Sequence, residues 1–296
     1  MNRTEQFLNL FCCVAYKVTG LQRFFVLGFL YTTLCVPGSV GNVYSAEPDL
    51  WFPVGEELVY DLYWGFIPVG KTRVTTAWVT EDDRQLLAIR FRTKSNRVIA
   101  SVYPVDDLIE SIIDPETFLP IRFTKRLKEG RYRCDETTTF DFEVLKAHWI
   151  SRVKDQEKEY PIHSDTRDLV SFMYYMRSKG FQVGNDTVFQ VMADEKLYSL
   201  FIKAPQVEKI RLKRYGKIPS LKIEPTASFK GLFVRKGKMQ IWISEDDRHL
   251  MTKIVAKTPF ADVNIKLAEV HGPGDDFWVQ TTPKKKSKKR QRRHGR

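Results

Sequence analysis

Side chains suited to acid–base or nucleophilic chemistry are sparse in this chain of 296 residues. The closest acid cluster is Glu245, Asp246 and Asp247, and glycoside hydrolysis requires two carboxylates flanking a bond. These acids fall at the tip of an expected hairpin, a position that favours turn formation instead. No phosphate-binding loop or nucleophile elbow is present, and no two of the five histidines have metal-ligand spacing. We therefore predict no catalytic residue, cofactor or metal site, and keep a hydrolase with dispersed catalytic groups as an alternative.

A second set of residues suits binding rather than catalysis, because Tyr, Trp and Arg combine apolar area with hydrogen-bond donors. We expect Arg177 to meet the acidic head of an amphipathic ligand. Trp64, Tyr174 and Trp242 would contact the apolar part, with Tyr175 beside them. The competing interpretation is that Arg177 only occupies the last turn of a helix, where its charge is favourable.

A helix over 165–179 is expected to position these residues. Apolar side chains recur there with the spacing of one helix face at Leu169, Phe172, Met173 and Met176. Ser164 or Asp165 would cap its start, and Gly180 would follow its end.

Elsewhere between Glu47 and Pro283 the chain shows the alternation of strands with one buried face. Leu58, Tyr60, Leu62 and Trp64 alternate with more polar neighbours, and turn residues recur at short intervals. Such alternation is typical of antiparallel sheets. We predict an all-β, mainly antiparallel fold: a curled sheet or β-barrel with one central helix packed on or plugging it.

Four motifs occur in order along this region, and in them the sequence resembles the bacterial domain-of-unknown-function family numbered 3108. The first motif is Gly55-Glu56-x-Leu58-x-Tyr60, which continues through Trp64-Gly65 to Gly70. The second runs from Tyr103-x-Val105-Asp106-Asp107 to Asp114, and the third from Asp168-Leu169-Val170-Ser171 through Arg177 to Gly184. The fourth runs from Met239-x-Ile241-Trp242 to Arg248. Leu250-Met251 departs from the Pro-Val pair usual in the family. The resemblance implies a secreted envelope β protein, and it implies no activity or catalytic residues.

The N-terminus has the pattern of a secretory signal. Arg23 precedes an apolar run of thirteen residues, Phe24–Val36, which is followed by Pro37 and Gly38. Because a spanning helix needs about 20 residues, this run favours a cleaved signal over 1–46, with an uncleaved anchor as the alternative. Only Cys134 follows the signal, so the exported chain would have no internal disulfide. We expect an exported protein of the periplasm or cell envelope, with a single β-barrel-like domain over 47–272.

The last segment, 273–296, is expected to be a disordered, strongly basic tail. It carries most of the net charge of +12 and leaves the central body nearly neutral. In the envelope its partners would be an anionic membrane surface or a cell-wall polymer rather than nucleic acid. The residues expected to make these contacts are Lys284, Lys285, Lys286, Lys288, Lys289, Arg290, Arg292 and Arg293.

Three functional hypotheses follow from these patterns. The preferred one is a non-enzymatic module that binds or carries an amphipathic or anionic envelope component, either a lipid or a glycan. The second is a structural or protein-interaction module of the envelope, which is expected if the interior of the barrel is filled. The hydrolase is the third. The sequence leaves the oligomeric state open.

Overall fold

The computed structural model describes residues 48–178, 181–184, 186–193, 195–229, 232–235, 239–257, 261–273 and 278. Its strands are β1 Glu57–Trp64, β2 Ile67–Glu81, β3 Arg84–Ser95, β4 Asp106–Ile113, β5 Pro120–Glu129, β6 Tyr132–Asp141, β7 Lys146–Ser151, β8 Gln156–Pro161, β9 Arg167–Asp168, β10 Thr187–Ala193, β11 Lys196–Leu212, β12 Gly216–Phe229, β13 Leu232–Arg235, β14 Met239–Ser244, β15 Met251–Ala256 and β16 Val263–His271. Its helices are α1 Arg97–Ala100 and α2 Leu169–Ser178. Within these described residues, neither helix is long and apolar enough to cross a bilayer.

All the described strands belong to one sheet. Its order is β8-β7-β6-β5-β4-β3-β2-β1-β16-β15-β14-β12-β11-β10-β9, and β13 pairs with β12 beside this path. Within the described residues every pairing is antiparallel except that of β9 with β10. The all-β, antiparallel prediction is confirmed. Of its two forms, the curled sheet is the one observed, because β8 and β9 are left as unpaired ends and the sheet does not close.

The main core lies between the concave face of the sheet and α2. Phe172, Met173 and Met176 of the predicted stripe are buried there against sheet residues such as Val74 and Ile254. A central packed helix was therefore predicted correctly. The short α1, which buries none of its side chains, is a second helix.

The helix begins later than predicted because the residues before it join the sheet. Arg167 and Asp168 form β9, and the helix starts at Leu169 rather than near 165. Asp168, not Ser164 or Asp165, caps the helix, since its Oδ1 accepts the backbone N–H groups of Val170 at 2.7 Å and Ser171 at 2.9 Å. Gly180, expected after the helix, is outside the described residues.

Candidate functional site

Arg177 lies in the last turn of α2, with only 2% of its surface exposed. Its guanidinium forms a two-pronged ion pair with Glu56, which is fully buried just before β1. Nη1 donates to Oε1, and Nη2 donates to Oε2 at 3.2 Å. A carboxylate of the protein therefore occupies the position that we expected an acidic ligand head to fill.

Two further side chains complete this cluster around Glu56. Tyr174, one turn before Arg177, donates its hydroxyl to Glu56 Oε1 at 3.1 Å. Arg248, in the turn between β14 and β15, donates Nη2 to Oε2 at 3.1 Å. His249 Nδ1 lies 2.7 Å from the carbonyl of Arg177, which ties the same turn to the helix end. We call Glu56, Tyr174, Arg177 and Arg248 the Glu56 cluster.

Burial and charge both change the acid–base properties of this cluster. Burial alone would lower the pKa of Arg177, but the neighbouring charge and hydrogen bonds of Glu56 raise it above its ordinary value. Burial raises the pKa of Tyr174 well above its usual range, and Glu56 raises it further. Both shifts favour a charged Arg177 and a neutral Tyr174 hydroxyl, the forms that donate hydrogen bonds to Glu56.

The space next to the cluster is small. A cavity of about 20 Å³ lies between the helix and the sheet, bordered by Tyr60, Phe91, Met173 and Arg177. A single water needs about 10–15 Å³ on this measure, whereas small-molecule sites typically span about 300–1,000 Å³. This part of the interior can hold about one water molecule, and a lipid tail would not fit without rearrangement of the core.

The fold and this geometry can be compared with known proteins. The sequence profile of a family described as "Protein of unknown function (DUF3108)" matches residues 59–268. The chain belongs to the DUF3108 family. This match confirms the predicted resemblance, and the family description gives no activity. A search of curated proteins gives no match.

Among solved structures, the DUF3108 chain is similar to the crystal structure of a beta-barrel-like protein of domain of unknown function DUF1849 from Brucella abortus. The TM-score is 0.50 at 10% sequence identity, covering 73% of this chain and 97% of the other. At this identity the likeness concerns the fold alone, and it supports a β-barrel-like architecture.

Tyr175 lies on another side of α2 from the Glu56 cluster. Its ring stacks under the guanidinium of Arg167, whose central carbon is 3.6 Å from the ring centre. The ring also packs against Trp51, which precedes β1, and against Phe118, which lies between β4 and β5. Tyr175 is thus a packing residue that fixes one flank of α2 to its surroundings.

Trp242 lies on the face of the sheet opposite the helix. It pairs across strands with Lys222 and Lys253, while the next residue of β15, Ile254, lines the helix-side cavity. Its Nε1 donates to Glu208 at 3.0 Å, and Lys253 Nζ lies 4.3 Å from its ring centre. The expectation that Trp242 shares a lining with Tyr174 is therefore wrong.

Trp64 lies far from the Glu56 cluster in the DUF3108 chain. It ends β1, whereas Glu56 immediately precedes that strand. A strand of eight residues spans roughly 25 Å, so Trp64 and Glu56 lie at opposite ends of β1. The fold therefore brings together Tyr174 and Arg177 and does not bring Trp64 or Trp242 to them. The predicted contacts from Lys284 to Arg293, and the predicted signal over 1–46, are outside the described residues.

Sequence reasoning missed two residues of this site, Glu56 and Arg248. Both stand inside the motifs that identified the family, next to Gly55 and after Asp246 respectively. Charge is the signal that could have found them, because the acid Glu56 in the first motif is opposite in charge to Arg177 in the third motif and Arg248 in the fourth. Spacing alone could not pair them, because Glu56 and Arg248 are 192 residues apart.

Proposed function

We propose that this chain is a non-enzymatic module of the cell envelope that acts through its outer surface, while its interior is a filled structural core. The observation that carries this proposal is the ion pair of Arg177 with Glu56 beside a cavity of about 20 Å³. The proposal selects the interaction module over the carrier. Contact with an amphipathic or anionic component, a lipid or a glycan, would then occur on the outside of the sheet.

The hydrogen bonding of two buried carboxylates, Glu56 and Asp168, supports a non-enzymatic role. Both oxygens of Glu56 accept hydrogen bonds from Arg177, Arg248 or Tyr174. Asp168, the other deeply buried carboxylate of the described helix region, accepts from Ser111 and from the start of α2. Each of these groups holds two elements together through hydrogen bonds that occupy its carboxylate oxygens.

The N-terminal sequence supports the envelope location. Arg23, the apolar run Phe24–Val36 and the following Pro37 and Gly38 form a signal pattern that ends before Glu47. Cys134 is buried in the sheet, and burial raises the pKa of its thiol to about 12. A buried, protonated thiol is poorly reactive, so an oxidising compartment would leave this chain without intermolecular disulfides.

Native mass spectrometry of the protein released from the exported fraction tests this function. We expect the mass of the polypeptide alone, with a start between about Asn42 and Glu47 as set by signal cleavage. A Met173→Ala variant is the matched control, because Met173 borders the cavity and its truncation opens space for a small apolar ligand.

A lipid- or glycan-sized addition that is present in the native spectrum and lost on denaturation would contradict the filled core and favour the carrier. A mass that retains residues 1–41 would instead show a membrane anchor. These two results are independent, since one concerns the interior and the other concerns only the N-terminus.

A further inference from the structure

Three neighbouring turns form one end of the sheet, which we call the tip end. It consists of the β1–β2 turn (64–67), the segment 96–104 containing α1, and the β5–β6 turn (129–132). Asn96 connects the first two, because its N–H donates to Val69 at 2.9 Å and its Nδ2 to Pro68 at 2.6 Å. Gly130 N–H donates to the carbonyl of Pro104 at 2.8 Å and connects the last two.

Large apolar side chains of the tip end face solvent. Phe66 is 91% exposed, Val102 86% and Val98 78%, and Trp64 at the end of β1 is 38% exposed. Gly65, with φ of +60°, makes the two-residue turn that places Phe66 at its outermost point. Exposed apolar residues scattered singly are ordinary, but neighbouring ones at one end of a domain mark an interaction surface.

The charge at this end is positive. Arg97 and Arg131 are exposed beside the apolar residues. Within the three segments of the tip end Glu129 is the one acid, and only 7% of its surface is exposed. Asp262, whose carbonyl accepts the Gly65 N–H at 2.7 Å, is a further acid beside the β1–β2 turn. Arg92 and Lys94, further along β3, share the single carboxylate of Asp106, so they add to the positive charge near the tips.

We propose that the tip end docks onto a bilayer surface containing anionic lipid, with Phe66, Val98 and Val102 entering the headgroup region and Arg97 and Arg131 contacting lipid phosphates. The inference rests on the proposed function, in that it assigns the outer surface and its occupant. Apolar and aromatic side chains with flanking arginines are the composition that binds membrane interfaces. A fluid bilayer accepts separate projecting tips without the fitted pockets on which a protein interface depends.

The tip end is separate from the basic tail. Trp278, the last described residue, donates to Asp246 at 2.9 Å, and Asp246 is in the same turn as Arg248 of the Glu56 cluster. Trp278 therefore lies near the end of the body opposite the tips. Attraction of the tail to anions is purely electrostatic and is screened by salt, whereas apolar insertion of the tips is not.

Vesicle co-sedimentation of the exported protein, tail included, tests the proposal. The vesicles contain phosphatidylcholine alone or mixed with phosphatidylglycerol, at low salt and at about 1 M NaCl, where the Debye length is about 3 Å. We expect binding to mixed vesicles that persists in part at high salt. Replacing Phe66 and Val102 together with Ser should weaken high-salt partitioning about 100-fold, because each buried side chain contributes about tenfold or more.

Matched variants separate the contributions at the tip end. Val144→Ser, at an exposed site in the β6–β7 turn of the opposite end, should leave partitioning unchanged. Arg97→Gln should reduce the preference for phosphatidylglycerol at low salt. All of these sites are exposed, so melting temperatures should stay within a few degrees of the parent.

Equal high-salt partitioning of the parent and the Phe66/Val102 variant, or no partitioning of the parent, would overturn the docking proposal. A soluble dimer that the double substitution dissociates, without vesicle binding, would overturn it too and assign the tips to self-association. Either result leaves the filled core intact, because only a ligand found by native mass spectrometry contradicts that.

Discussion

At the scale of single residues, sequence reasoning predicted that Arg177 meets an acid and assigned that acid to a ligand, whereas Tyr174, expected to contact the apolar part of the ligand, also binds the acid. The partner is Glu56, 121 residues away from Arg177 in the chain. Local spacing carries no information about a contact made through the fold. Cys134 lies on the buried face of β6, a position that follows from the local alternation of a strand.

Asp168 gives a residue-scale prediction about pH. Burial raises its pKa to about 6, although hydrogen bonds from Ser111, Ser171 and Val170 act in the opposite direction. The folded state therefore holds the proton more tightly than the unfolded chain, whose carboxyl has a pKa near 4. It follows that the contribution of the Asp168 carboxyl to the free energy of unfolding falls as the pH rises from about 4 to about 6.

Asp168→Asn should remove this dependence while keeping an oxygen for the N–H groups of Val170 and Ser171. In urea unfolding, the variant should gain stability relative to the parent across that pH range. The gain should be up to about 3 kcal/mol for a shift of about two pKa units. Asp165→Asn, on the exposed residue of the same segment, is the control. Parallel pH curves for the parent and Asp168→Asn would contradict the prediction.

At the scale of elements, strands were predictable because period-2 alternation is a local property, as in β1, where Leu58, Tyr60 and Leu62 are all buried. The start of α2 was not predictable in this way. Arg167 and Asp168 pair with Val191 and Met192 of β10, and a tertiary pairing of that kind overrides a helical pattern. Asp168, the last residue of β9, then caps the helix.

The two ends of the open sheet are connected by side chains rather than by backbone pairing. Glu195, between β10 and β11, accepts from Lys158 of β8 at 2.8 Å and from Tyr160 at 3.2 Å, and Lys154 lies 3.6 Å away. Partly exposed ion pairs of this kind contribute about 0–1 kcal/mol each. They can hold an edge strand in place without determining the stability of the whole sheet.

Glu195→Gln should therefore speed local opening at the edge of the sheet. We expect faster amide hydrogen exchange in β8 than in the parent, unchanged exchange in β14, and a loss of global stability below about 1 kcal/mol. Glu157→Gln is the matched control, because Glu157 lies on the same strand and has only an exposed contact with His148. Unaltered exchange in β8 would show that backbone pairing with β7 alone holds this edge.

At the scale of the whole molecule, the strand content and the central helix followed from the sequence, but the choice between a curled open sheet and a closed barrel did not. Closure depends on register, and the pairings of β1 with β2 and β16 contain irregularities that alternation does not reveal. Alternation also does not reveal which residues lie at each end of the body. Trp64 was predicted to line the interior, yet it lies at the tip end because β1 carries it away from Glu56.

In the proposed function the two ends of the molecule, one with the Glu56 cluster and one with the apolar tips, have separate roles. The Glu56 cluster and Trp278 lie at one end, and the apolar tips project from the other. Substitutions at the tips can therefore be made without disturbing the Glu56 cluster. The interior connects them only as a rigid core.

Thermal unfolding of Arg177→Met tests the filled core most directly, because a structural lock and a ligand site give opposite results. A buried pair broken on one side loses about 3–5 kcal/mol, so we predict a large fall in the unfolding temperature. Glu56→Gln should lose more, since it leaves two arginines without their acid, and the double variant should lose less than the sum of the two. An Arg177→Met protein that keeps the parent's unfolding temperature, or strictly additive losses in the double variant, would contradict the lock and return Arg177 to ligand binding.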